Sequence, residues 1–550
     1  MIKKLRIVLA AVHFEPGPDA VPLGAASVAA ALKQAFRDAV EVVLAESFAA
    51  AGPEALVREI SEKAADAVGF SLYSWNREVC AAAAKMLRRD PVNKGLFVFC
   101  GGPDASARSG GLLVSQGGFF DSVVKGEGEE QAVWLIRERF PWVENVTHSE
   151  KPEKQIGAVG LENLPSPWLD RTLSCQGLRG RGVLWELARG CPYCCAYCYE
   201  SKGDRRVRYF GEHRIRRELE LFICERPAYV FILDPTFNID EKRGLRILDM
   251  IIEKSRAAGF MQPSRRNPIH WHFEIRGELV TKAQARRFAL LGASLQIGLQ
   301  SADADVCAHS GRSFDRKRFS AGIERLNREG VVFGIDLIYG LPRDTLKGFM
   351  RSLDYALSLR PNNIDLFRLS VLPGTALWDW APNLGIRMNP SAPYEVEETT
   401  EFPAADLDTA EALSGAADVF YNRGRAVAWF TSAVKPLRMT PSVFLSRFMI
   451  SQEYRSLTER AACDSLTVEK AQLQFLEACY RDAKKAQLVP ALRDLVRYHG
   501  AWGRALAEGK KTKLSFTYNP EMILGAGVFD IEKFAASVKP CPGQLVVGPE

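Results

Sequence analysis

Apolar and polar positions alternate along the first 150 residues in two rhythms. LRIVLAAV (5–12), VEVVLAES (40–47), DAVGFSLYS (66–74) and LFVFCGG (96–102) are short, β-rich apolar runs. Between them LGAASVAAALKQAF (23–36), GPEALVREISEKAA (52–65) and REVCAAAAKMLRR (77–89) carry helical spacing. FDSVVKGEGEE (120–130) reads as a last strand running into a helix that begins near Glu129. Strands alternating with helices of this length predict a parallel, doubly wound, Rossmann-like sheet. Such sheets bind ligands at the carboxyl ends of their strands. The predicted loops there hold Pro22-Leu23-Gly24, Ser71 followed by Tyr73-Ser74-Trp75-Asn76, Gly101-Gly102-Pro103 and Gly126-Glu127-Gly128. Glycine lets backbone approach a ligand closely. Together these loops point to a large ligand lying across one sheet edge.

Residues 151–182 show little periodicity and read as a linker. From 183 to 385 the strand–helix rhythm returns. Its strands are VLWELAR, YVFILDP, IHWHFEIR, SLQIGLQS, VFGIDLIYGLP and NIDLFRLSVLP. Six such units predict a partial (β/α)6 barrel, whose chemistry belongs at the loops after the strands. Residues 386–550 change character: DLDTAEALSGAADVFYNRG, SVFLSRFMISQEYRSLTERAA and VEKAQLQFLEACYRDAKKA have helical spacing and predict a mostly helical C-terminal region. The fold class is therefore α/β with a helical extension.

Composition is that of an ordinary globular chain, 47% hydrophobic and 25% charged, and the net charge of +6 is mild for 550 residues. It gives no reason to expect nucleic acid. The opening MIKKLRIVLAAV reads as a first buried strand rather than a signal peptide, because the apolar run is short and meets His13 and Glu15. No apolar run is long enough to span a bilayer. Four of the twelve cysteines crowd into residues 191–198, which argues for a metal site in a reducing, cytoplasmic setting rather than a disulfide framework.

Two pairings of that cluster compete. Cys191/Cys194 with Cys195/Cys198 is a pair of abutting C-x-x-C units, and these would struggle to wrap one tetrahedral zinc. Cys191, Cys195 and Cys198 form C-x-x-x-C-x-x-C, which can hold three irons of a [4Fe–4S] cube and leave the fourth open. With Tyr197 before the last cysteine, this stretch resembles the signature of the radical S-adenosylmethionine (SAM) superfamily. Further segments resemble that family in the expected order. FILDPTFN brings Asp234 and Thr236, FEIRGE brings Glu274 and Arg276, and GLQS brings Gln300 and Ser301. GIDLIYGLP, with Asp336 and Ile338, resembles the strand that lines the adenine. The resemblance implies that these residues, with Tyr197, contact SAM. Cys194 is surplus to the pattern and is expected either to pack beside the cluster or to act as a second, redox-active thiol.

The N-terminal sheet resembles the cobalamin-binding domain of the family's cobalamin-dependent branch. PLGAASVAAAL, GGPDASA (with Asp104 where the family usually has His) and VVKGEGEE carry that likeness. The Asp-x-His-x-x-Gly motif that supplies a lower cobalt ligand is missing, and His13 does not replace it. Tyr73, Trp75 or Asn76 is then expected to face the cobalt, with a core or interface aromatic as the alternative for Trp75. A dinucleotide fingerprint after the first strand is absent. A methylthiotransferase would need three further N-terminal cysteines, and only Cys80 and Cys100 are there.

The resemblance implies three cofactors: a [4Fe–4S] cluster, SAM and cobalamin. It implies C-methylation of an unactivated carbon through a 5′-deoxyadenosyl radical and methylcobalamin. The alternatives are a non-methylating rearrangement or cyclisation, and a cofactor-binding sensor or carrier. A flavodoxin- or ferredoxin-like electron donor is the expected partner, with the substrate, small molecule or peptide, unnamed. Arg205, Arg206 and Arg208 would suit an acidic substrate or an exposed loop equally.

Overall fold

The computed structural model describes residues 4–107, 118–143, 160–174, 180–202, 205–261, 267–459, 463–524 and 530–549. Five parallel strands form the first sheet: β1 (Leu5–His13), β2 (Val40–Phe48), β3 (Ala67–Ser71), β4 (Phe97–Gly101) and β5 (Ser122–Val123). Their order is β2-β1-β3-β4-β5, so the topology switches direction between β1 and β3. Leu5, Ile7, Leu9 and Ala11 of β1 feed one core and Val8, Ala10 and Val12 another. Burial on both faces is why the strand reads as a continuous apolar run. Helix Leu23–Phe36 is alanine-rich because it is packed on two sides: Ala25 and Ala29 meet the sheet, while Ala26 joins the core of the second domain. The helix expected to begin near Glu129 runs Gly128–Arg139.

The second sheet holds six parallel strands in sequential order: β6 (Gly182–Trp185), β9 (Tyr229–Ile232), β10 (His270–Ile275), β11 (Ser294–Gln300), β12 (Val332–Tyr339) and β13 (Asn363–Arg368). Most of the intervening helices start on side-chain caps. Asp240 accepts from the Arg243 N–H, and Thr281 with Gln284 forms a capping box. One expectation needs correction. VLWELAR is not a single strand, because the chain leaves the sheet after Trp185. A short strand β7 (Ala188–Arg189) then pairs antiparallel with β8 (Arg208–Tyr209). This hairpin closes the base of the cysteine loop.

The described part of 151–182 does more than link. Trp168 is buried, donates to the Leu184 carbonyl (3.3 Å) and packs edge-on against Phe222. The remaining linker positions, 151–159 and 175–179, lie outside the described residues. The C-terminal region is mostly helical, and its core is continuous with that of the barrel through Phe402, Leu407, Phe420 and Phe444. It also contains two small antiparallel pairs that the helical pattern does not predict: β14 (Arg387–Met388) with β15 (Val396–Glu398), and β16 (Thr512–Phe516) with β17 (Gly543–Val547). Asn422 completes the open edge of the barrel sheet. Its side chain accepts from Ile364 N–H and donates to Ile364 C=O, both at 2.9 Å, as a neighbouring strand would.

Candidate functional site

Asp234 sets the cysteine loop. Its Oδ1 accepts from the N–H groups of Leu187 and Ala188, each at 2.9 Å, just where β6 ends. Arg243 braces the same turn, with Nη1 3.5 Å from Asp234 Oδ2 and Nη2 donating to Leu187 C=O at 2.8 Å. Asp234 is 2% exposed. It is therefore committed to the loop's base, where the sequence placed it as a SAM contact. Burial pushes its carboxyl up to about 7, against the opposing pull of Arg243.

Within the loop Cys195 is buried, and Cys191, Cys194 and Cys198 are partly exposed. Ala196 N–H donates to Ser310 C=O (2.9 Å), Leu377 N–H donates to Ala196 C=O (2.9 Å), and Cys198 N–H donates to Cys195 C=O (3.0 Å). Gly311, at φ +70°, lies so close that a Cβ there would collide with the Cys194 carbonyl oxygen. The loop's path is thus fixed from both sides. Burial raises the thiol of Cys191 and lifts Cys198 to about 11. Such thiols ionise only when a group brings compensating positive charge, as a metal cluster does. Among the described residues no three His, Cys, Asp or Glu side chains converge on a single ion.

The inner face of the barrel is polar because Phe273, Ile275, Leu295, Ile297, Ile335 and Leu337 point the other way, into the helix-packed core. Glu274, Gln296 and Asp336 occupy the alternating inner positions. Gln296 Nε2 donates to Asp336 and, at 3.1 Å, to Asp365 Oδ2. Burial first, then Asp336 and Glu200, lift Glu274 to about 7. Burial first, then Asp365, lift Asp336 to about 7 against the Gln296 hydrogen bond. Ile338 follows on the same strand face. Gln300 sits at φ +67°, and its buried Oε1 has no hydrogen-bond partner. Tyr197 Oη is likewise buried without a partner at hydrogen-bonding geometry, and burial raises its pKa.

Other expected contact residues also bond within the fold. The Arg276 guanidinium stacks 3.8 Å from the Tyr193 ring centroid, donates to Glu278 at 2.7 Å and to Ser313 C=O at 3.3 Å. Ser301 is fully buried against Ser352 and the Asp303 N–H. Thr236 donates to the Pro235 carbonyl at 2.7 Å, and it lines a small open cleft with Gly190, Pro192 and Tyr209. The sequence reading missed Arg312. This cation is 9% exposed, donates from Nη2 to Gly298 C=O and leaves its buried Nε unpartnered. Tyr197 and Cys195 are its nearest electrostatic neighbours. Nothing in SGRSFD marks it in the sequence; only folding brings it to the loop.

At the edge of the first sheet Tyr73 and Trp75 stack at 4.3 Å and 17°, and Trp75 is 46% exposed, so it is no core residue. Asn76 is held within the fold. It is 1% exposed, and its amide accepts from Tyr73 N–H (2.8 Å) and donates to Val12 C=O (3.1 Å) and Ser71 C=O (3.0 Å). It shapes the loop through these three bonds. Tyr73 Oη lies against Gly24, beside Pro22 and Leu23 at the helix start. Gly102, at φ +102°, lets the next loop pass where a Cβ would meet Leu72 C=O at 2.6 Å. Gly101 and Pro103 flank it, and the Pro103 carbonyl accepts from Tyr199 Oη (2.7 Å), tying this edge to the cysteine loop. Gly126 faces open space, while Gly128 packs on Val28. His13 is engaged with Glu46 at 2.9 Å. A stacked aromatic pair, an open glycine and this switch point fit a large planar ligand.

Arg208 is not free for a substrate. It forms an ion pair with Glu127, and Arg206 is also engaged.

Comparison with known proteins agrees with this geometry. Residues 185–356 match the radical SAM superfamily model and residues 10–135 the B12-binding domain model. The chain is similar to the cobalamin-dependent radical SAM methyltransferase TokK of Streptomyces tokunonensis, 26% identical over 57% of this chain and 48% of that protein. It is also similar to the 2-(S-pantetheinyl)-carbapenam-3-carboxylate methyltransferase of Streptantibioticus cattleyicolor, 27% identical over 66% of this chain and 55% of that one. The chain thus spans about half the length of the curated relatives it matches. In fold it matches the cobalamin-dependent SAM radical enzyme OxsB, solved with aqua-cobalamin and SAM, at a TM-score of 0.57 and 12% identity over 88% of this chain and 80% of that one.

Proposed function

Because residues 185–356 match the radical SAM superfamily model and residues 10–135 the B12-binding domain model, we propose that this chain is a cobalamin-dependent radical SAM C-methyltransferase acting on an unactivated carbon. The observation that carries this reading is the juxtaposition of two sites. The cysteine loop and the ligand edge of the N-terminal sheet are bonded to each other, Tyr199 to Pro103 and Arg189 to Glu129. That the two relatives named above are methyltransferases supports the choice of reaction.

Cys191, Cys195 and Cys198 would hold the [4Fe–4S] cluster. With SAM it supplies a hydrogen-abstracting radical, and cobalamin supplies the methyl group. The protein's own work is placement and exclusion of water. Arg312 offers its unpartnered Nε–H to the carboxylate of SAM. Glu274, Asp336 and Gln300 accept from its hydroxyl and ammonium groups, and Tyr197 and Ile338 wall the site. Asp234, Arg276, Thr236 and Ser301 position the loops from behind. Trp75 and Tyr73 present an aromatic face to the corrin, and the Gly101–Pro103 and Gly126–Gly128 turns give its edge room. Boundaries near 150, 183 and 385 separate the cobalamin domain, linker, barrel and helical region.

A flavodoxin- or ferredoxin-like reductant would deliver electrons. All described cysteines are free, which suits a reducing cytoplasm. Among the described residues no helix is long and apolar enough to cross a membrane.

The products of SAM test the reading. Reduced, reconstituted enzyme turning over its substrate is expected to release S-adenosylhomocysteine and 5′-deoxyadenosine in equal amounts. 5′-Deoxyadenosine alone would overturn methylation in favour of a rearrangement, and neither product would leave a sensor or carrier.

A further inference from the structure

The two cofactor sites share a set of ion pairs that the proposed chemistry does not use. Arg189 stands two residues before Cys191 on β7, and Arg208 is its register partner on β8. Together they form the base of the cysteine loop. Arg189 Nη2 donates to Glu129 Oε1 at 2.6 Å, and its Nε donates to Glu186 Oε1 at 2.8 Å. Glu127 Oε2 lies 3.8 Å from Arg189 Nη1. Arg208 pairs with the same Glu127. Glu127 caps the helix that follows β5 and Glu129 lies in its first turn, on the ligand edge of the other domain. Glu129 has only 6% of its side chain exposed and Arg189 only 15%. These are not solvated surface pairs, so displacing one partner strands a buried charge. The Arg189 guanidinium also lies 5.6 Å from the Phe210 ring, which fixes its approach.

We propose that Arg189 and Arg208 are positioning residues that couple the two sites, so that cobalamin binds more tightly when the cluster loop is assembled, and the reverse. The loop after β5 must take one arrangement to receive the corrin, and the hairpin must take one arrangement to present Cys191. The shared ion pairs make each arrangement favour the other, and linkage makes the effect reciprocal. This inference rests on the cofactor assignment above.

The test uses the full chain and hydroxocobalamin, titrated by absorbance before and after anaerobic reconstitution with iron and sulfide. The parent is expected to bind cobalamin about tenfold more tightly once the cluster is present. In Arg189→Gln and in Glu127→Gln that ratio is expected to fall below about twofold. In Arg189→Lys, which keeps the charge beside Glu129 and Glu127, it is expected to stay nearer the parent value than in Arg189→Gln. A merely structural defect raises both dissociation constants together and leaves their ratio unchanged, which would overturn the coupling. Equal affinities in the parent with and without cluster would overturn it as well, while leaving the cofactor assignment standing. A parent that binds no cobalamin in either state would overturn both.

Discussion

Glu274 gives the sharpest test of how the barrel interior is built. Burial, with Asp336 and Glu200 nearby, lifts its carboxyl from 4.5 to about 7. Between those values the folded chain holds a proton that the unfolded chain has lost. Stability therefore falls as pH rises through that window, and the loss is complete above about pH 7. At about 1.4 kcal/mol per pH unit the window is worth about 3 kcal/mol. Solvent reaching the partly exposed side chain reduces this to about 1–2 kcal/mol. Glu274→Gln keeps the shape and removes the charge. The cofactor-free variant is expected to be about 1–2 kcal/mol more stable than the parent at pH 8 and equal to it at pH 4.5. Urea unfolding at the two pH values measures both differences. The same variant is expected to bind SAM about tenfold more weakly, a loss of function alongside a gain of stability. A variant less stable at pH 8, or a gain that does not change with pH, would refute the reasoning.

Other outcomes follow from single contacts. Cys194→Ala is expected to keep the parent's iron content after reconstitution, while Cys195→Ala loses most of it; iron analysis reads both. Gly311→Ala forces a Cβ into the Cys194 carbonyl at a left-handed backbone position, and should cost about 1–3 kcal/mol in thermal unfolding together with lost iron. Asn238 is 2% exposed and exchanges two hydrogen bonds with the Arg276 backbone, at 2.9 and 3.0 Å, so Asn238→Ala should destabilise by about 2–4 kcal/mol in urea. Arg312→Gln should weaken SAM binding at least tenfold by equilibrium dialysis and leave cobalamin binding unchanged.

Periodicity located nearly every strand and helix of the two sheets. Continuous apolar runs such as LRIVLAAV belong to strands buried on both faces, and the IHWHFEIR alternation belongs to a strand with one polar face. It misread VLWELAR because apolar character does not reveal where a side chain elsewhere captures the backbone. Asp234, 47 residues on from Leu187, ends that strand by taking two N–H groups. The small C-terminal strand pairs were hidden for the same reason, since a pairing of five residues across a long excursion leaves no local period. Motif spacing marked which residues gather at the loop, but not what each one does there. Asn76, Arg276 and Ser301 each make hydrogen bonds within the fold that the motif spacing does not reveal. Arg312 was invisible because an arginine between Gly311 and Ser313 looks like a surface turn until burial shows its unpartnered Nε.

The most direct measurement is metal content with an absorption spectrum, taken on the chain after anaerobic reconstitution with iron, sulfide and hydroxocobalamin and removal of the excess. The account predicts about four irons and one cobalt per chain, with the cobalt retained through gel filtration. Iron without retained cobalt would contradict it, leaving the N-terminal sheet a scaffold and removing the source of the methyl group.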